Sequence, residues 1–272
     1  MKFKPNILFI LSILLFTSCS DMFDFSPYVI DFDEENRESN NKNIDRLVKT
    51  ENSDSVITIA FTGDTHNFFD EFSGFVNSVN NLNKSKPVDF VIHVGDFTDF
   101  GLPKQYKWGN SNLLKLSVPH VVAVGNHDLV GNGGDAYKQM FGNYNFSFIY
   151  SSVKFIFLNT NSLEFDYNGR VPDVDWLDLQ LQAADNFDKA VVIFHVPPTT
   201  DEFDQNLKPD FLTTIAKYNN VLFTVHGHLH HFEVYTPFAD GIKYVNVYSV
   251  EFKKYNVITI KDNKFEVETY EF

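Results

Sequence analysis

The sequence predicts an α/β fold, a four-layer α-β-β-α sandwich of two mixed sheets. Three patterns carry that reading. From Val56 to about residue 232, apolar strand runs alternate with amphipathic helical spacings, as expected of strands joined through helices. In mid-chain the alternation gives way to two strand runs hinged on Ser151 and Ser152, which reads as a hairpin. From Ile242 onward three strand runs follow one another with no helix between them, so parallel and antiparallel pairing must coexist.

Taken in order, "VITIAFTGD" from Val56 is a buried strand, and "FFDEFSGFVNSVNNLN" spaces Phe68, Phe72, Phe75, Val76 and Val79 along one helical face. "VDFVIHVGD" is a second strand, "PKQYKWGNSNLLKL" a helix, and "PHVVAVGNHD" a third strand. The helix-like "GDAYKQMFG" leads into the hairpin "YNFSFIYSSVKFIFLNTN". Then come the amphipathic helix "DVDWLDLQLQAA", the strand "KAVVIFHVPP", the helix "KPDFLTTIAKY" and the strand-to-loop "NVLFTVHGHLHHF". The tail, "IKYVNVYSV", "YNVITIKD" and "KFEVETYEF", alternates as a β-meander.

Composition limits the function. The chain has 272 residues, 43% hydrophobic and 21% charged, with 30 Phe and a formal net charge of -14. Such a surface repels nucleic acid, whose binding rests on Lys and Arg neutralising phosphates, so no nucleic-acid partner is expected. The arginines are Arg37, Arg46 and Arg170 alone, too few for a dense anion clamp. Positive charge at a site for an anionic substrate must come from a few cations or from metal.

The N-terminus "MKFKPNILFILSILLFTSCS" has two lysines, an apolar run from Ile7 to Phe16, then small residues and Cys19. This is a signal-peptide layout, too short to span a membrane. It resembles a bacterial lipoprotein signal, which implies cleavage after residue 18 and lipidation of Cys19, the chain's one cysteine. With no second cysteine there is no internal disulfide, so the fold must rest on core packing. Residues 19–55 are rich in Asp, Glu, Asn and Ser and read as a polar tether, with a short helix allowed over Ile44 to Lys49. Residues 56–272 form the globular domain. The implied location is the bacterial cell envelope, at the outer membrane, on its periplasmic or external face.

Ligand-type residues gather where strands end. The first strand delivers Asp64 and His66, the second Asp96 with Asp99 three residues on, and the third Asn126 and His127. Later strands deliver His195, then His226, His228 and His230. Open α/β sheets assemble sites at the carboxyl ends of their strands, so these clusters should converge. Mixed oxygen and nitrogen donors without thiolate suit Mn, Fe or Zn.

The ordered set "GDTH", "GDFTD", "GNHD", "IFH" and "GHLH" resembles the calcineurin-like metallophosphoesterase superfamily. The resemblance implies two divalent metal ions, one held by Asp64, His66 and His230 and the other by Asn126, His195 and His228, with Asp96 bridging. It implies hydrolysis of a phosphate ester by in-line attack of a metal-bound hydroxide, without a covalent enzyme intermediate. His127 resembles the non-ligand histidine that stabilises the transition state or protonates the leaving oxygen, and Asp99 the carboxylate that orients it. Monoester and diester cleavage both stay open, and a non-catalytic scaffold of the same fold is the alternative. Where phosphoprotein phosphatases carry an arginine after this Asp, the chain has Phe100. Arg170 is the one arginine of the body that could reach substrate or cap a loop. Asp128 reads as a residue orienting its neighbours, His93 and His226 as buried core histidines, and His120 and His231 as structural or solvated.

Overall fold

The computed structural model describes residues 26–49, 56–182 and 186–272; the signal segment and Cys19 lie outside them. Two mixed sheets face each other. The first runs β11-β10-β1-β2-β3, with β1 (Val56–Thr62), β2 (Phe90–His93) and β3 (His120–Val122) parallel. β10 (Lys254–Lys261) and β11 (Lys264–Glu271) pair antiparallel beside β1. The second runs β4-β5-β6-β7-β9-β8, with β5 (Val153–Phe157), β6 (Lys189–Ile193), β7 (Val221–His226) and β9 (Tyr244–Asn246) parallel. Its edge strands β4 (Phe146–Tyr150) and β8 (Glu233–Tyr235) are antiparallel to their neighbours.

Three apolar layers follow from the strand period of two. Ile57, Ile59 and Phe61 of β1 face Val191 and Ile193 of β6 and Phe155 of β5 between the sheets. Ala60 of β1 and Val91 of β2 point outward, to Phe72, Phe75, Val76 and Val79 of the helix Phe69–Leu82. Ala190 and Val192 of β6 point outward on the other side, to Leu177 and Leu181 of Val174–Leu181 and to Phe211 and Ile215 of Lys208–Lys217. The predicted four-layer sandwich is thus the fold of the chain. The predicted hairpin closes at Ser151 and Ser152, both with positive φ, the backbone of the two-residue turn that matches strand twist.

Two expectations are corrected. The tail is not a meander: β9 lies in the second sheet, parallel to β7, whereas β10 and β11 belong to the first. Alternation reveals a strand but not which sheet accepts it. The polar tether read for residues 19–55, with an aromatic stretch able to dock and a short helix over Ile44 to Lys49, is more ordered than expected over residues 26–49. The helix α1 (Ser39–Lys49) packs on the edge of the first sheet with Leu47 buried between the sheets, and Phe32 is buried against the helical layer. The Asn40 amide accepts from the Val122 N–H and donates to the Val122 carbonyl, each at 2.9 Å. Its side chain thereby stands in for a neighbouring strand along the open edge of β3.

Candidate metal centre

The carboxyl ends of β1, β2 and β3 meet those of β6, β7 and β9 along one seam, closed by a bridge between Gly63 and Ser249. All seven residues read as ligands stand on loops at this seam. Asp64, His66, Asp96 and Asn126 come from the first sheet; His195, His228 and His230 come from the second. Asp64, His66 and His230 place one donor atom each within 4.8 Å of one another, as do Asp96, His195 and His228. A third such group, His66, Asp96 and His127, lies between them. The convergence read from the strand ends is therefore present, with Asp96 central to two of the three groups.

The backbone is bent to achieve this. Asp64, His66, Asp96, His228 and His230 all have positive φ, between 48° and 72°, a conformation costing a non-glycine residue about 1–3 kcal/mol. Asp96 is 1% exposed yet turned by this bend towards the seam. Two glycines make room. A Cβ on Gly125 would stand 2.0 Å from the Asp96 nitrogen, and one on Gly95 2.7 Å from His195 Nδ1. The glycine before each of these polar residues is thus a packing requirement, and a polar turn would not by itself need it.

The donor set suits cations. The His195 side chain is fully buried, its Nδ1 donates to the Val94 carbonyl at 2.9 Å, and its Nε2 lies 3.1 Å from Asp96 Oδ2. Nε2 forms no hydrogen bond there, and neither does the buried Oδ1 of Asn126. An imidazole lone pair and a carboxylate so close require positive charge between them, a proton or a metal ion. The electrostatics say the same. Burial alone would depress His195, but Asp96 and then Asp64 push it up to about 10. Contact with Asp64 raises His230 to about 9 against the effect of burial. Burial disfavours the charged forms of Asp64 and Asp96, yet the surrounding histidines hold both below the usual carboxylate range. His66 and His228 are lowered chiefly by burial, His228 to about 4, and so stay neutral, as metal-binding imidazoles must be.

His230 is braced at a ring nitrogen by a hydrogen bond to Glu251, while carboxylates flank His66 and His228 without hydrogen-bonding them. His66 Nδ1 lies 3.4 Å from Asp99 Oδ1, His230 Nδ1 3.1 Å from Glu251 Oε1, and His228 Nε2 3.4 Å from Glu202 Oε2. A carboxylate hydrogen-bonded as Glu251 is fixes ring orientation and raises donor strength. Glu251 and Glu202 are absent from the sequence reading. Glu251 follows β9 at the seam, so the strand-end rule would have found it had β9 been placed in the second sheet. Glu202 sits in the loop after β6 and carries no sequence signal.

His127 is half-exposed. Its Nδ1 donates to the Asp99 carbonyl at 2.9 Å and lies 3.4 Å from the Asp99 carboxylate. A carbonyl only accepts, so the proton is on Nδ1 and Nε2 is left for another partner. Asp99 therefore touches both His66 and His127. Asp128 accepts from the N–H groups of Phe97, Thr98 and Gly125, tying the second motif loop to the third. His93 bonds Thr65, His226 bonds Tyr235, and His120 bonds Ser39; all three are buried. Arg170 is exposed on the loop after β5, where its N–H donates to Asn168. It lines a groove with Asp173, Asp178, Asp210 and Lys217 that contains none of the converging side chains.

The calcineurin-like phosphoesterase family model matches residues 57–232. A probable glycerophosphodiester phosphodiesterase of Arcobacter nitrofigilis is 30% identical over 180 residues, covering 61% of this chain and 65% of that relative. The chain thus spans less than two thirds of that relative's length. Among solved structures, a dimetal phosphatase from Danio rerio superposes with a TM-score of 0.61 at 14% identity, over 80% of this chain and all of that one. GAP50, described as the anchor in the inner membrane complex of Plasmodium, superposes with a TM-score of 0.62 at 16% identity, over 80% and 85%. Likenesses at this identity speak for the fold alone.

Proposed function

Because the chain belongs to the calcineurin-like phosphoesterase family, we propose that it is an envelope-bound, metal-dependent phosphoesterase that cleaves phosphate diesters and is tethered through a lipidated Cys19. The observation that carries the reading is the pair of donor groups, Asp64 with His66 and His230, and Asp96 with His195 and His228, side by side on one seam. This site can bind two divalent ions. When bound, they supply Lewis acidity and the positive charge that an acidic, arginine-poor chain lacks.

The protein's own side chains divide the remaining work. Asp64, His66 and His230 would hold one ion, and Asn126, His195 and His228 the other. Asp96 would serve both, since a carboxylate offers two oxygens. Asp99 holds His127 by its carbonyl and leaves Nε2 facing the site; with a second proton on Nε2, the imidazolium would donate that proton to the departing alkoxide and be left neutral, protonated on Nδ1. The hydrogen bonds from His230 to Glu251 and from His195 to the Val94 carbonyl keep these imidazoles aimed, so little reorganisation is needed as charge develops.

Two features favour diesters. The Arcobacter relative is named for a phosphodiesterase, and a diester presents one negative charge where a monoester presents up to two. Arg37 is bound to the Phe32 carbonyl and Arg46 to Asn43, and Arg170 lies in the separate groove, so none grips a terminal phosphate. GAP50 has this fold and is described as an anchor, which keeps a scaffold as the rival. Elemental analysis of the purified chain, with turnover of bis-nitrophenyl and nitrophenyl phosphate under added Mn²⁺, decides among them. Two metals per chain and faster diester cleavage are expected. Faster monoester cleavage would overturn the diester preference, and metals without turnover of either ester would favour the scaffold.

A further inference from the structure

Apolar exposure on this molecule is concentrated at the edge that bears the site. Among the described residues, seven of the fourteen exposed large apolar side chains stand on that edge or on the N-terminal segment beside it. Six form one flank: Tyr28, Val29, Phe68, Phe100, Trp108 and Val130. They are linked by contacts. Asn132 donates to the Tyr28 carbonyl at 2.6 Å, and the Val130 carbonyl abuts Gly101, next to Phe100. The Phe100 N–H donates to Gln105, which in turn bonds Asn67, next to Phe68. The Phe69 ring meets Trp108 at 5.7 Å. Across the mouth, Phe252 follows Glu251 and is 51% exposed. The flank is contiguous with the chemistry, because Asn67 and Phe100 sit on either side of Asp99, which touches His66 and His127.

A contiguous apolar surface of this kind marks something that covers it. Its chemistry is that of a bilayer interface: aromatic rings with a lysine whose stem lies along one of them. On this flank Lys104 lies 4.9 Å from the Trp108 ring. The chain's own geometry names the occupant. Seven peptide steps separate Cys19 from Ser26, a reach of at most about 25 Å. Tyr28, two residues further on, is already seated on the site edge. A lipid on Cys19 would therefore hold this edge within about 25 Å of the membrane. The net charge of -14 disfavours an anionic surface and leaves a zwitterionic one.

Resting on the reading of Cys19 as lipidated, we propose that the site edge docks on the lipid surface through Tyr28, Phe100, Trp108 and their neighbours. The metal centre then opens onto the membrane, and its substrates are phosphodiesters presented at that surface.

The two tryptophans, Trp108 and half-buried Trp176, permit a direct test. The processed full chain, as Trp176→Phe and separately as Trp108→Phe, is reconstituted on phosphatidylcholine vesicles with brominated acyl chains. The proposal expects Trp108 emission to shift blue and to be quenched several-fold more than that of Trp176. Equal quenching, or none, in protein that floats with the vesicles overturns the docking and leaves the anchor standing; the apolar edge would then belong to a protein partner. Protein that does not float overturns both. Neither result touches the phosphoesterase reading, which turnover of soluble bis-nitrophenyl phosphate checks in the same samples. As a second arm, exposed Trp108→Ser should slow cleavage of a vesicle-borne phosphodiester and leave the soluble ester unchanged. Equal effects on the two substrates would also overturn the proposal.

Discussion

At the scale of single residues, the seam separates side chains that would hold metal from those that would act beside it. Asp96 is the common member of two donor groups and lies 3.1 Å from His195. Asp96→Asn should abolish turnover and lower the metal content, and unchanged turnover would remove the dinuclear reading. His127 has one nitrogen committed to the Asp99 carbonyl, so His127→Ala should keep both metals and lose about 10²–10⁴-fold in rate, the usual weight of a positioned proton donor. Loss of metal in that variant would make His127 a ligand, as its place near His66 and Asp96 permits. Glu251→Gln is the sharper case, because the residue touches only the far side of His230. Metal affinity measured by competition with a chelator should fall about 10–100-fold; unchanged affinity would reduce Glu251 to surface charge. The residues that end strands were legible because each cluster follows an apolar run, and all but His195 also follow a glycine. Glu251 was not, because its strand was assigned to the wrong partners.

At the scale of elements, the instructive case is α1. Its sequence "SNNKNIDRLVK" reads as solvated, since polarity on a scale of residue types says nothing of what the amides bond. In the fold Asn40 completes the backbone pairing of β3 and Asn43 accepts from the His120 N–H at 3.3 Å. Asn40→Ala would leave the buried Val122 N–H without its partner, at a cost of about 1–3 kcal/mol, while the Val122 carbonyl keeps the Tyr137 hydroxyl. A lowered chemical-denaturation midpoint with unchanged slope would show it. This joint is also pH-sensitive. Burial, with a smaller push from Arg46, lowers His120 to about 3 from an ordinary 6.5. The unfolded chain then gains a proton below pH 6.5 while the folded one stays neutral, so stability falls as pH drops from 6.5 towards 3. The slope from this one group approaches about 1.4 kcal/mol per pH unit. His120→Gln should flatten the dependence of the midpoint between pH 7 and pH 5, whatever it costs at pH 7. An unaltered slope would exclude His120 as the titrating group.

At the scale of the whole molecule, the centre lies where two sheets meet, and its donors are divided between them. Asp64, His66, Asp96 and Asn126 belong to loops of the first sheet, and His195, His228 and His230 to loops of the second. Without metal, the carboxylates of Asp64 and Asp96 depend on protonated His195 and His230 for compensation. The strained backbone at Asp64, His66, Asp96, His228 and His230 is then held by packing and by hydrogen bonds such as those from the Asp64 and His66 N–H groups to the Gly95 and Asp96 carbonyls. Ions bound there would join the layers as well as prepare the chemistry, since whatever binds the folded chain and not the unfolded one stabilises it. At a metal concentration 100 times Kd the gain is about 2.7 kcal/mol, a rise of about 5–10 °C in Tm for a chain this large. Scanning calorimetry of chelated and Mn²⁺-loaded protein at one pH should show that rise. The same comparison in Asp96→Asn should show a much smaller one, because the variant lacks the carboxylate that lies 3.6 Å from His66 of one group and 3.1 Å from His195 of the other. If metal shifts both proteins equally, the stabilising ions sit elsewhere. If it shifts neither, the seam is held by packing and the centre adds chemistry without strength.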